Sequence, residues 1–309
     1  MIDWKEIELS DRPKVNDMIC ASGCHGADYS FANLYIWRHA YNPRIYFCGS
    51  RLLVGMPDWN VYAYPKGDGD VRPSIELLLE EAHERGEKLL IRGLTDKTLG
   101  EFLPLYGDRF EITEDRDNAD YIYTAEKLCN LAGRKLSSKR NHIHKFEKNG
   151  EWEFVPVAAH SCHSRSTDGC STDPIASLAE AEAFVAEFYK EKNDPELADE
   201  AQAIEEMFEH YEALGFLGGL LYQKGEPVAF TAGTKLDDEV FDVHFEKALP
   251  GVEGAYTMVN REFARMVVEK LPGITHFNRE EDMGLEGLRK AKESYHPDIL
   301  LMKYFAKEK

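Results

Sequence analysis

The chain has 309 residues, 43% hydrophobic, 30% charged and 11% aromatic, an ordinary globular composition with room for two domains. Thirty-seven Lys and Arg stand against 56 Asp and Glu, a net charge of −19, so the surface as a whole repels nucleic acid and anionic membranes, and an anionic ligand must find a local basic patch. No apolar run is long enough to cross a bilayer and the opening MIDWKEIELSDRPK does not read as a signal peptide, so a cytoplasmic protein with no DNA partner is expected.

RIYFCG, RLLVGM and NVYAYP are short strands with turn residues between them. RPSIELLLEEAHERG is a helix, with Pro73 in its first turn and Gly86 at its end. KLLIRGL reads as a buried strand, TDKTLGEFLPLYG as a helix opened by Thr95, and FEIT as a strand. The basic segment GRKLSSKRNHIHKFEKNG reads as a helix that Ser137 or Ser138 caps and Gly150 ends. The boundary between two domains, 1–150 and 151–309, is placed at the turn in EKNGEWE.

A strand, EWEFVPVA, opens the second half, followed by a polar insertion at 160–174 and two helices, SLAEAEAFVAEFYKEKN and ADEAQAIEEMFEHYEALG, the latter closed by Gly215. Three strands come next, FLGGLLYQ, EPVAFTAGTKL and EVFDVHFEKA, with turns at Gly225 and at Asp237-Asp238. The loop LPGVEGA leads into the helix YTMVNREFARMVVEKL. The strand GITHFN, the helix LEGLRKAKESY, whose Leu285 and Leu288 are expected to face the core, and a single strand DILLMKYF complete the chain. The class is α/β with mixed sheets, and the element order of the second half resembles the GNAT acyl-CoA N-acyltransferase fold.

Six cysteines suit free thiols in a reducing compartment. Cys20, Cys24 and His25, and His160, Cys162, His163 and Cys170, are metal-binding residue types, but neither group has the paired CxxC spacing of a structural zinc module. No metal and no tightly bound cofactor is expected.

Three stretches carry candidate chemistry. With period two, Phe241, Val243 and Phe245 point to one face of their strand, and Asp242, His244 and Glu246 to the other. That second face is either a wet surface or a cleft lined with acid–base groups. In Pro250-Gly251-Val252-Glu253-Gly254-Ala255-Tyr256, two glycines stand before a helix, where free N–H groups favour anions; a plain strand-to-helix turn is the alternative. The basic helix gathers Lys135, Lys139, Arg140, Lys145 and Lys148 with His142 and His144, and Asn141 lies among them. It is the one concentrated positive patch, either a solvated face or an anion site. Asn278, Arg279, Glu280, Glu281 and Asp282 then close the strand GITHFN, where acids can cap the following helix, pair with Arg279, or line the ligand-binding end of a sheet.

LSSKRNHIHKF, FNREEDMGLEGLRKAKESYHPDILLMKY and YSFANLYIWR resemble soluble proteins related to the C-terminal catalytic domain of phosphatidylglycerol lysyltransferase. The resemblance implies two GNAT-like halves in tandem, as in the Fem-type peptidoglycan aminoacyltransferases, and a reaction in which an amine attacks an ester or thioester. The lysyltransferases also carry a membrane domain, which this sequence does not contain. The expected function is transfer of an acyl or aminoacyl group from acyl-CoA or aminoacyl-tRNA to an amine or hydroxyl. Asp242, His244 or Glu246 would serve as base, and Asn278, Arg279 and Glu281 would complete the catalytic group. Lys139, Arg140, Asn141, Gly251, Gly254, Ala255 and Tyr256 would hold the donor. The alternative is a non-catalytic module of the same fold that binds a charged ligand.

Overall fold

Two mixed sheets follow one strand plan in the computed structural model, which describes residues 1–23, 25–28, 30–158, 175–192 and 197–309. In spatial order the first sheet runs Lys5–Glu6, Arg44–Cys48, Arg51–Met56, Val61–Ala63, Leu90–Leu94, Tyr304–Glu308, Phe110–Glu114, with Lys66–Gly67 paired onto Arg51–Met56. The second runs Ala176–Ser177, Trp152–Ala158, Phe216–Gln223, Glu226–Lys235, Val240–Ala248, His276–Asn278, Asp120–Thr124, Ile299–Leu301. In each, a run of antiparallel strands leads to a parallel pair, Val61–Ala63 with Leu90–Leu94 and Val240–Ala248 with His276–Asn278; the second sheet also begins with the short parallel pair Ala176–Ser177 with Trp152–Ala158. Each sheet then accepts, antiparallel, a strand from the other end of the chain before its last strand. The expected mixed α/β class and the GNAT-like order of the second half are both present.

The sheets therefore do not divide at residue 150. Asp120–Thr124 is an inner strand of the second sheet, and the chain's last strand closes the first. The turn at EKNGEWE only ends the basic helix Ser137–Lys148, whose Ile143 and Phe146 share a core with Met258 and Phe263 of the helix Ala255–Lys270. DILLMKYF, read as one strand, is two: Ile299–Leu301 pairs in the second sheet, the chain crosses at Met302-Lys303, and Tyr304–Glu308 enters the first.

Helices cover the outer faces for the reason their sequences suggest. Leu78, Leu79 and Ala82 of Arg72–Glu84 and Phe102 of Asp96–Tyr106 bury one stripe against the first sheet. Thr95 opens the latter helix through a reciprocal capping box with Thr98. A second core fills the space between the sheets, where Phe31 and Tyr35 of Phe31–Ile36 meet Phe208 of Ala198–Glu209 and Phe230 and Phe245 of the second sheet. Leu285 and Leu288 do not face a core: they are 57% and 37% exposed, beside Met283 at 64%, because the short helix Glu286–Glu293 turns its basic stem inward through buried Lys292. The basic helix starts without a side-chain cap, Ser137 being its first residue, and ends at Lys148. Among the described residues no helix is long and apolar enough to cross a membrane.

Ala306 sits fully buried between Ile91 and Ile112 in the exchanged strand. An Ala306→Asp substitution places an unpaired charge there and is expected to cost about 3–5 kcal/mol. Urea unfolding measures it, and a loss below ~1 kcal/mol would contradict the inner placement of this strand.

Candidate active site

Strands Val240–Ala248 and His276–Asn278 pair only as far as Asp242 and Asn278, and beyond that point the two chains separate. The split is sharpened by a bulge. Thr234 pairs with Asp242 and Gly233 with Val243, but Ala232 pairs with Phe245, so His244 is the extra residue. Gly233 permits this approach, since a Cβ there would lie 2.2 Å from the Asp242 carbonyl oxygen.

The bulge overturns the expected single acid–base face. Phe241 and Val243 join the core under the helix Ala255–Lys270, whereas Phe245 joins the core between the sheets. Asp242 and His244 point into that inter-sheet space, and Glu246 points the other way, toward Asn260 of the helix. The loop after the neighbouring strand divides likewise. Arg279 points to the helix face and Glu280 to the inter-sheet face, and Glu280 has φ +57°, a left-handed conformation that costs an L-residue energy.

On the helix face, Arg279 donates to both Glu246 oxygens at 3.2 and 3.1 Å, and the Asn260 amide donates to Glu246 at 3.2 Å. Tyr295 and Tyr123 lie 4.9 and 5.8 Å from the guanidinium carbon. Burial works against the Arg279 cation, but Glu246 outweighs it, so its pKa rises and it stays charged. Above this pair the Lys139 ammonium of the basic helix lies 3.9 Å from the Tyr295 ring centroid. Burial, aided by Arg279 and opposed by Glu246, pushes Lys139 down to about 8.

On the inter-sheet face, His244 Nδ1 lies 3.1 Å from Glu280 Oε1 and 3.0 Å from Asn33 Oδ1, and Nε2 lies 2.8 Å from Thr234 Oγ1. Next to it Lys303, almost fully buried, donates to Asp120 at 2.5 Å and pairs with Asp28 at 2.7 Å. Burial opposes the Lys303 charge, but the two carboxylates hold its pKa well above the ordinary value. Glu281 completes this group. Burial pushes its carboxyl up to about 7, with Glu280 adding and Lys303 opposing.

Two residues of the loop are structural. Asn278, fully buried, donates to the His25 carbonyl and to Asp120, and accepts from the Glu280 N–H, so it lines no cleft. Asp282 accepts from Arg116, Tyr121, Gly284 and Arg289; burial is overcome by these donors and its pKa falls. It is the clasp of the loop. Lys292 reaches back to donate to the carbonyls of Arg279 and Glu281.

The expected donor-binding residues lie together on the helix face. Gly251 and Gly254 have φ +85° and +87°, and Ala255 and Tyr256 begin the helix Ala255–Lys270. Gly254 is pressed against the basic helix, where a Cβ would lie 2.4 Å from the His142 carbonyl oxygen. The acid in this loop is neutralised from the same helix, Lys145 to Glu253 at 2.6 Å. Asn141 is exposed; Arg140 instead uses Nη1 on the carbonyls of Leu131 and Gly133, which folds the preceding loop. Cys24 and residues 160–174, with His160, Cys162, His163 and Cys170, lie outside the described residues.

The fold, with its paired basic helix and glycine loop, is a two-sheet GNAT-like scaffold. The sequence profile of the family described as Phosphatidylglycerol lysyltransferase, C-terminal, matches residues 22–307. The chain therefore belongs to that family. A conserved protein of unknown function from Bacteroides thetaiotaomicron is 33% identical over 100% of both chains, with a TM-score of 0.87. The C-terminal DUF2156 domain of a candidate lysylphosphatidylglycerol synthetase from Agrobacterium fabrum is 14% identical, over 97% of this chain and 92% of that one, with a TM-score of 0.61. L-PGS from Bacillus licheniformis is 18% identical, over 86% and 80%, with a TM-score of 0.51. No curated protein sequence matches the chain.

Two measurements follow from the helix face. Glu246→Ala leaves the buried Arg279 charge without its partner and is expected to cost about 3–5 kcal/mol in denaturant unfolding, whereas a rim ion pair would cost under ~1. Below about pH 8 Lys139 is protonated in both states; between about 8 and its ordinary 10.5 only the unfolded chain holds the proton, so the lysine makes stability rise with pH there. Lys139→Met should remove that rise, and identical slopes in wild type and variant would show an unperturbed lysine.

Proposed function

We propose that the protein is an aminoacyltransferase or acyltransferase that takes its donor, an aminoacyl-tRNA end or an acyl-CoA, along the basic helix and delivers the acyl carbon to the gap where strands Val240–Ala248 and His276–Asn278 part. The single observation that carries this reading is the Glu246–Arg279 pair at that gap, directly beneath Lys139 and beside the glycine loop. On a protein of net charge −19, the outward-facing Arg134, Lys135 and Lys148 give a phosphate backbone a favourable approach. The first turn of the helix Ala255–Lys270 adds its positive end.

The chemistry is attack by an amine or hydroxyl on an ester or thioester carbonyl. The attacking group must lose a proton, and negative charge grows on the carbonyl oxygen. A lysine at about 8 is partly neutral near physiological pH, so Lys139 is suited to take the proton or, when charged, to stabilise the oxyanion. Arg279 stays cationic beside the Tyr295 ring and, as a like charge, helps hold the Lys139 pKa down. Glu246 serves as the partner of Arg279 rather than as a free base. His244 and Asp242, on the opposite face, are removed from this role. Glu281, at about 7, remains a proton carrier for an acceptor entering between the sheets.

Labelled aminoacyl-tRNA and acyl-CoA pools, each incubated with the protein and small amine or hydroxyl acceptors, test the reading. Release of donor label into a new amide or ester supports it; binding without turnover supports a ligand-binding module. Lys135→Ala with Lys139→Ala should weaken donor binding and lower the slope of log affinity against log salt by roughly 0.7–0.9 for each phosphate that is no longer neutralised. An unchanged slope would make the helix a solvated face.

A further inference from the structure

Four polar atoms from three distant segments converge beneath the bulge at His244. Its Nδ1 is 3.0 Å from Asn33 Oδ1, 3.1 Å from Glu280 Oε1 and 3.7 Å from Asp242 Oδ2. The Asn33 amide nitrogen donates to the Ala27 carbonyl and to Glu280, which fixes its oxygen toward the imidazole. The ring and the Asp242 carboxylate are shielded from solvent, at 1% and 0% side-chain exposure, while Glu280 at 23% leaves a way in.

Asp242 is the anomaly. Both its carboxylate oxygens are buried, and neither has a hydrogen-bond partner among the described residues. Buried carboxylates without donors are rare, and each needs an explanation. A proton on His244 Nδ1 would satisfy Asn33 or Glu280 and still leave Asp242 bare. The other nitrogen has its own partner in Thr234, and an Nε2–H donated there turns the Nδ1 lone pair toward three oxygens. The neighbouring carboxylates, Asp28 and Asp120, enclose a cation already, the Lys303 ammonium.

We propose that Asp242, His244 and Glu280, with the side-chain carbonyl oxygen of Asn33, form a binding site for one divalent transition-metal ion. Zinc–nitrogen and zinc–oxygen bonds of about 2.0–2.2 Å in tetrahedral array place ligand atoms about 3.4 Å apart, and the three distances from Nδ1 bracket that edge. Two carboxylates cancel the charge of a dication. One imidazole among oxygen ligands fits Zn²⁺ or Mn²⁺ and argues against Mg²⁺ and Ca²⁺, which take oxygen alone. The ion would tie the helix Phe31–Ile36, the bulged strand and the left-handed turn at Glu280 to one point between the sheets. The site lies on the face opposite Glu246 and Arg279, so it stands whether or not the chain transfers acyl groups.

The test reads metal content and melting, not turnover. Protein stripped with chelator is titrated with ZnCl₂ and, separately, MnCl₂, and bound metal is counted after gel filtration. About one equivalent per chain is expected, with a melting temperature that climbs until that stoichiometry is reached. Asp242→Asn and His244→Gln should lose both the ion and the climb, with circular dichroism confirming that they fold. Glu280→Gln, at the open edge, should fold and bind more weakly. No binding of either metal by the wild type, or a full equivalent retained by Asp242→Asn and His244→Gln, overturns the site. So does an Asp242→Asn variant that melts above metal-treated wild type, since that is the outcome for a bare buried charge simply relieved.

Discussion

The architecture hangs on one buried ammonium. The chain passes from the first sheet to the second at residues 115–120 and returns at 302–304, and the two crossings run side by side. The Asp115 N–H donates to the Lys303 carbonyl at 2.8 Å, and the Lys303 side chain reaches Asp120 and Asp28. Asn278 and the Ala27 N–H bind the remaining oxygen of Asp120. A shift of either crossing by one residue would strand a buried cation and two carboxylates, each costly to leave unpaired. The register of both exchanged strands, and so the position of every residue at the parting of Val240–Ala248 and His276–Asn278, is tied to this cluster.

Two local devices then multiply what the parting can do. A bulge turns Glu246 away from Asp242 and His244, and the adjacent Arg279 and Glu280, the latter left-handed, point to opposite faces. Each strand therefore supplies one acid to one face and one charged or titratable group to the other. Over a few residues the parting of two inner strands presents Arg279 and Lys139 beneath the basic helix and a carboxylate-rich group between the sheets. Even alternation along Val240–Ala248 would have placed Asp242, His244 and Glu246 on a single face.

Periodicity and punctuation in the sequence were enough for the element order from Phe216 to Glu293, the mixed class and the capping residue Thr95, because these are local properties. The basic helix and glycine loop were legible as donor-side candidates, and they do lie together. Three features were not legible for one reason: each depends on a partner far away in the chain. The bulge is set by the close approach of Gly233 to Asp242; the split of Arg279 from Glu280 depends on Glu246 and His244; the strand exchange depends on which sheet edge each segment meets. A boundary drawn at a turn could not reveal that exchange, although one clue was present. Lys303 is a lone charge inside the apolar run LLMKYF, and a buried lysine demands carboxylates. Asp282, for which capping, pairing with Arg279 and lining a site were all open, is a hub because Arg116 and Arg289 arrive from either side.

The placement of Tyr304–Glu308 between Leu90–Leu94 and Phe110–Glu114 also sets the order of events during synthesis. Nearly two hundred residues separate Phe110–Glu114 from Tyr304–Glu308, so the first sheet stays open, with two unpaired inner edges, until that strand has been made. The strand that the second sheet takes from the first half is made early, and its own last strand, Ile299–Leu301, only just before Tyr304–Glu308. The nascent chain must therefore hold its first half unfinished and fold it last, which makes ribosome-bound intermediates long-lived and exposes apolar strand edges to chaperones.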